Sequence, residues 1–191
     1  MAEVKVLIKG YAKEIENGWI ANSTVTLIKD NGKKIIVDPG VHRGKLIEAL
    51  EKEGLSLEDI DYVVLSHGHT DHCILAGAFP NAKILNNYEI YDNDEQLEHN
   101  NKIPNINLEI LQTPGHAEDH CSVVVNTDKG VCVVAGDVFW WKDDEEQIVN
   151  INKEEVVHPG NMIQLVESRK KVLEIADFII PGHGEMFEVE K

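Results

Sequence analysis

Cysteine is scarce in this chain. Cys73, Cys121 and Cys132 are an odd number and form no CxxC pair, which argues against a disulfide framework. Long apolar runs are missing too: none approaches the ~20 residues that a membrane-spanning helix needs. The N-terminal Met1-Ala2-Glu3-Val4-Lys5 has no basic stretch leading into an apolar one. No secretory signal is therefore read, and the expected location is cytoplasmic, with no membrane partner. Basic residues are few, 18 Lys and Arg against 34 Asp and Glu, which leaves a net charge of -16. Nucleic-acid affinity comes largely from Lys and Arg neutralising phosphates, so a long nucleic-acid substrate is disfavoured. Bound cations would still create a positive spot that net charge ignores. No repeat, low-complexity linker or composition break is found. A chain of 191 residues with 42% hydrophobic content has room for one domain with a real core and too little for two, so one domain over 1–191 is expected.

Histidine is where the sequence is rich. In Ser66-His67-Gly68-His69-Thr70-Asp71-His72, three imidazoles and a carboxylate fall within six residues. The stretch follows Tyr62-Val63-Val64-Leu65, which reads as a buried strand. In extended backbone, residues two apart point the same way, so His67 and His69 can converge on one point. Asp71 and His72, one turn later, can face a second point close by. Imidazoles mixed with a carboxylate suit zinc, iron or manganese better than calcium or magnesium, which prefer oxygen shells. A solvated polar loop would account for a lone histidine but not for this clustering at a strand end.

Further donors are offered downstream, each at the end of an apolar run and each preceded by glycine. Leu111-Gln112-Thr113-Pro114-Gly115 leads to His116, Val133-Val134-Ala135-Gly136 to Asp137, and Phe178-Ile179-Ile180-Pro181-Gly182 to His183. Glycine beside a ligand lets the backbone turn sharply and come close to a metal.

With HxHxDH followed by Gly-His, Gly-Asp and a final Gly-His, the chain resembles the metallo-β-lactamase superfamily from about Asp38 to His183. That resemblance implies that His67, His69 and His116 bind a first metal, that Asp71, His72 and His183 bind a second, and that Asp137 bridges them. All seven positions are filled. It also implies a four-layer αββα sandwich, an α/β fold of two mixed sheets with outer helices. The expected cofactors are two divalent metal ions, zinc first, with iron or manganese admissible. His69 stands where the family's oxygen-reducing iron branch typically has Glu, which argues against that branch. The chain is most like the glyoxalase II-like branch. It continues only eight residues past His183, so the C-terminal helical region with which those thioesterases grip glutathione is not expected, nor is the inserted domain of the processing nucleases.

Periodicity fills in the rest. Val4–Tyr11 reads as a strand. Thr24–Ile28 and Lys34–Val37 read as a hairpin around Asp30-Asn31-Gly32, since Asn-Gly suits the positive φ of tight turns. Asp38 is either a turn former or a support for the metal loop. Arg43–Glu53 reads as a helix with Leu46, Ile47 and Leu50 on one face, stopped by Gly54. A helix is expected over Asp71–Gly77, and a short strand at Lys83–Leu85. Asn86–Asn105 is read as the least regular part, a solvated excursion with a short helix or a loop over the site carrying Tyr88 or Tyr91. Strands are expected at Asn107–Gln112, Cys121–Asn126, Val131–Ala135 and Phe178–Ile180. A long helix running to Ala176 is capped by Asn161. Trp140 or Trp141 could wall a pocket while Phe139 packs in the core, and His158 could reach the site. Cys73 could lie near the metals, and His120 reads as a supporting residue without being a ligand.

The donor set prescribes metal-assisted hydrolysis. A water bound to zinc can ionise near pH 7, down from a pKa of ~15.7. The expected nucleophile is a metal-bridging hydroxide acting on a small ester, thioester or lactone, with Asp71 and Asp137 as catalytic carboxylates able to handle a proton. The alternatives are a metal-dependent phosphodiesterase or nuclease and a mononuclear-iron dioxygenase of the persulfide type. A small-molecule substrate is the expected partner, and a homodimer is left open.

Overall fold

Alternation in the apolar strands decides which residues share a face. The structure, a computed structural model, describes residues 1–103, 106–155 and 160–190. In chain order its elements are β1 (Glu3–Ile8), β2 (Tyr11–Ile15), β3 (Gly18–Asn22), β4 (Val25–Asp30), β5 (Lys33–Val37), α1 (Arg43–Lys52), β6 (Tyr62–Val64), α2 (Thr70–Cys73), β7 (Lys83–Leu85), β8 (Glu89–Asp92), β9 (Glu95–Glu98), β10 (Leu108–Gln112), β11 (Cys121–Thr127), β12 (Gly130–Trp140), α3 (Met162–Ile175), β13 (Phe178–His183) and β14 (Phe187–Glu188). One sheet runs β1-β4-β5-β6-β7-β8-β9, a second runs β10-β11-β12-β13-β14, and β2 and β3 form a separate hairpin.

The layers follow from the strand pattern. Ile28, Ile35, Val37 and Val64 of the first sheet pack with Ile110, Val123, Val125, Val134 and Ile180 of the second, forming a core between the sheets. Their sequence neighbours Leu27, Ile36 and Val63 point the other way and pack with Leu46 and Leu50 of α1. On the far side Val133, Ala135 and Ile179 pack with Val172 of α3 and with Ala176 just beyond it. Helix, sheet, sheet and helix are thus stacked in the αββα order expected. β12 reads as a continuous apolar run from Val131 to Ala135 because both of its faces are covered.

Parallel pairing places the functional end. β5 pairs in parallel with β6, and β12 with β13. The carboxyl ends of parallel strands are where α/β sheets leave a crevice. Here those ends deliver Asp38, Ser66 and His183. Backbone bonds lock the end together: Ser23 N–H donates to Asp71 O at 3.1 Å, Thr24 N–H to Gly182 O at 2.7 Å, and Cys121 N–H to Ser66 O at 2.8 Å.

Most expected elements are present, and five differ. The strand expected through Tyr11 ends at Ile8, and the chain then forms the β2–β3 hairpin. The helix expected over Asp71–Gly77 is one turn, Thr70–Cys73, followed by a 3-10 turn at Ala76–Ala78. The excursion after Asn86 is a hairpin, β8 and β9, that extends the first sheet, with Asn93 at φ 56° in its turn. A tight two-residue turn outweighed the weak apolar pattern there. Pro104 and Asn105, the end of that excursion, lie outside the described residues. β12 runs on to Trp140 and β13 to His183, so Asp137 and His183 belong to the strands themselves. The register of β12 against β13 shifts between Val134 and Gly136 and again before Trp140, which breaks the alternation just where Asp137 sits.

Candidate metal centre

Seven side chains converge at the functional end. His67, His69, His116 and Asp137 each offer one donor atom to a group whose atoms lie within 4.8 Å of one another, and Asp71, His72 and His183 form a second such group. Asp137 faces both. Its Oδ2 is 3.3 Å from His116 Nε2 and 4.0 Å from His67 Nε2, while its Oδ1 is 3.2 Å from His72 Nε2 and 3.7 Å from His183 Nε2. His183 Nε2 is 3.3 Å from Asp71 Oδ2, and His116 Nε2 is 3.0 Å from His69 Nδ1. Four donors placed tetrahedrally at ~2.05 Å from zinc would stand roughly 3.3 Å apart, so these separations suit a cation. All seven candidates from the sequence are brought together.

The ring orientations are set from behind. His72 Nδ1–H donates to Asp38 Oδ2 at 2.8 Å, and His183 Nδ1–H to the Tyr11 carbonyl at 3.1 Å. His116 Nδ1–H donates to Glu155 Oε1 at 3.0 Å. Those partners can only accept, so Nε2 keeps the lone pair a cation needs. Ser66 Oγ donates to Asp38 Oδ2 at 2.6 Å and accepts from His67 Nδ1 at 3.0 Å, which extends the same logic to His67. His67 Nε2, His72 Nε2 and Asp137 Oδ1 are buried without a hydrogen-bond partner. Buried polar atoms are normally paired, and these three point into the two groups. The residues therefore fit divalent cations.

The cluster's charges agree. Burial opposes charge on His72, but the carboxylates of Asp137 and Asp38 outweigh it and hold its pKa well above the usual value. Burial likewise opposes charge on Asp137, yet the His72, His183 and His116 rings hold its carboxyl well below the usual range. His67, by burial first and then by the charge of His72, is pushed well below the ordinary imidazole value. Carboxylates here call for positive charge, and a cation would meet the same field.

Asp38 resolves its two readings together. It adopts φ 50°, a turn conformation, and its Oδ1 also accepts from Ser66 N–H at 2.8 Å. His120 is buried, and its Nε2 accepts from Asp137 N–H at 3.1 Å. Its Nδ1–H must then donate to Thr113 Oγ1 at 3.0 Å, and the chain of hydroxyls runs on through Ser122 to Ala135 O. Burial, then the charge of His116, pushes its pKa down to about 3, so it is a neutral strut beneath Asp137.

A cavity of about 680 Å³ opens over the centre, lined by His69, Asp71, His116, Asp137 and His183 together with Trp19, Trp140, Lys142 and Lys153. Trp140 is the wall residue; Trp141 and Phe139 are buried in the core. No residue of the β8–β9 hairpin lines this cavity, so Tyr88 and Tyr91 do not reach it. Cys73 lies beside the metal loop, its thiol against Gly68 O at 3.5 Å, and belongs to neither donor group. His158 lies outside the described residues. Sequence reasoning missed Trp19, Glu155 and Arg169. Trp19 had one weak signal, an aromatic in a short polar hairpin. Glu155 had none, being one acid in the charged run Lys153-Glu154-Glu155.

The family model of the metallo-beta-lactamase superfamily matches residues 19–104. Metallo-beta-lactamase domain-containing protein 1 of Xenopus laevis is 32% identical over 198 residues, covering 98% of this chain and 82% of the relative. N-acyl homoserine lactonase of Bacillus cereus is 29% identical over 122 residues, covering 55% of this chain and 49% of the relative. Among solved structures, a metallo-beta-lactamase-type protein of Thermotoga maritima superposes with a TM-score of 0.75 at 20% identity, covering 98% of this chain and 99% of the other.

Proposed function

Since the chain belongs to the metallo-β-lactamase superfamily, we propose that it is a metal-dependent hydrolase of a small ester, thioester or lactone, built as one domain over residues 1–191. The observation that carries this reading is Asp137, whose two oxygens face two separate donor groups. We assign His67, His69 and His116 to a first divalent cation, Asp71, His72 and His183 to a second, and Asp137 to both, with zinc the ion best suited to this imidazole-rich set. Bound there, paired cations lower the pKa of water and polarise the scissile carbonyl.

The chain's own groups do the remainder. Asp71, with a side chain 25% exposed against 6% for Asp137, is the more open of the two aspartates that line the cavity. Its Oδ2 faces His183 Nε2 in the second group, so the carboxylate's other oxygen is the one left to hold a proton and pass it to the leaving group. Asp137 stays anionic and fixes the two groups at one separation. Trp19 and Trp140, with ring centroids 6.3 Å apart, form an aromatic wall that favours an apolar acyl part. The relation to a lactonase supports a cyclic ester among the candidates.

Thioesters, lactones and nitrocefin, assayed with the zinc-loaded protein, test the reading, and turnover of at least one class is expected. Silence on all three with cleavage of bis-p-nitrophenyl phosphate or RNA would replace it by a phosphodiesterase. Iron alone, at one ion per chain, would replace it by a persulfide-type dioxygenase. His183→Ala removes one of the four donors assigned to the second cation and none of those assigned to the first. It is expected to leave close to one metal per chain by elemental analysis; two metals with full activity would contradict the assignment.

A further inference from the structure

A single arginine fastens β12 and the segment 141–155 that follows it. Arg169 of α3 is 1% exposed and is the largest fully buried side chain among the described residues. Its Nε–H donates to Val138 O at 3.0 Å, and Nη1 donates to Ile151 O at 3.0 Å and Lys153 O at 2.7 Å. Nη2 is left for Glu155, at 3.4 Å from Oε2. The helix thus ties down β12 and that segment while aiming one guanidinium arm at a carboxylate.

Glu155 is itself 2% exposed in its side chain. Its three partners all donate: His116 Nδ1–H to Oε1 at 3.0 Å, the Trp140 indole N–H to Oε2, and Arg169. A buried carboxylate is costly unless so surrounded. Each donor group thus has one imidazole backed by a carboxylate, His72 by Asp38 in the second and His116 by Glu155 in the first. The other two backing atoms are neutral oxygens, Ser66 Oγ and Tyr11 O. An anionic partner makes an imidazole a stronger donor and fixes its ring.

We propose that Glu155, anchored by Arg169, is the positioning residue of the first metal group: it orients His116 toward the cation and, through the Trp140 indole, fixes the cavity wall to the same point. This rests on the metal-centre reading above. Glu155 borders the cavity, but both of its oxygens are turned to His116, Trp140 and Arg169, so it acts through His116 and Trp140.

The test uses Glu155→Gln in the full chain, which keeps the shape and removes the charge. Two stepwise zinc affinities are measured by competition with a chromophoric chelator, alongside the visible spectrum of the cobalt(II)-loaded protein. Loss of such a partner typically costs 10–100-fold in metal affinity. One step is expected to weaken by about that factor, the other to stay within roughly two-fold, and the cobalt spectrum to shift. Glu155→Asp keeps the charge but withdraws it by one methylene, and should weaken the same step if the glutamine variant does not accumulate. Wild-type affinities and an unchanged spectrum in either variant would overturn the proposal. So would equal weakening of both steps with a lower melting temperature of the chelator-treated protein, the mark of a merely structural role. A wild-type chain that takes up no zinc would instead sink the metal-centre reading.

Discussion

Asp137→Asn is expected to lose hydrolytic activity by roughly three orders of magnitude and to hold fewer than two cations per chain. The substitution is nearly isosteric, and the backbone N–H bond to His120 Nε2 is untouched, so the fold should persist. What changes is the charge and one donor oxygen. An amide offers a single carbonyl oxygen, so Oδ1 toward His72 and Oδ2 toward His116 cannot both be replaced. Cations contribute several kcal/mol of charge stabilisation to such a reaction, and about 4 kcal/mol corresponds to a factor of a thousand. Steady-state rates on whichever substrate class is turned over, paired with elemental analysis, decide the matter. Two cations and near-normal rates in the variant would remove Asp137 from the centre.

Gly182→Ala should be comparably severe for a different reason. A Cβ built at Gly182 would sit 1.8 Å from Asp137 Oδ1 and 3.0 Å from Gly136 C. The strand cannot retreat, because Gly182 O accepts from Thr24 N–H at 2.7 Å and from Thr24 Oγ1 at 3.0 Å. One methyl group must therefore displace Asp137. Overpacking of this kind costs typically 1–3 kcal/mol, and here the displaced group is also the shared carboxylate. A lower urea midpoint, together with loss of metal and activity, is expected. Gly77→Ala serves as the control, since its Cβ would meet nothing within 4 Å; it should be neutral. A Gly182→Ala variant as stable and active as that control would show that the approach to Asp137 is not tight.

The glycines show how far local reading goes. Gly136 fits the expectation of a sharp turn, with φ 52°. Gly182 has no such φ and is glycine for clearance, which depends on a side chain 45 positions earlier in the chain, Asp137. The same limit explains the excursion after Asn86: its role at the end of a sheet depends on β7, to which β8 pairs, and its own pattern did not reveal that. Likewise, the partners of Arg169, Val138 O on β12 and Glu155 in the segment that follows it, lie outside its own helix and leave no mark in it.

By itself the sequence determined the seven side chains that converge at the functional end, the alternation that splits apolar residues between an inner core and two outer ones, and the family. These are properties of neighbours: two-residue spacing aims His67 and His69 together, and strand period two sorts Leu27 from Ile28. Only the tertiary structure decided which oxygen of Asp137 faces which group, that Trp19 and Trp140 wall the cavity, and that Glu155 stands behind His116 across 39 positions. Those contacts join segments with no local correlation, and a single acid in a charged run carries no mark of the imidazole it will meet.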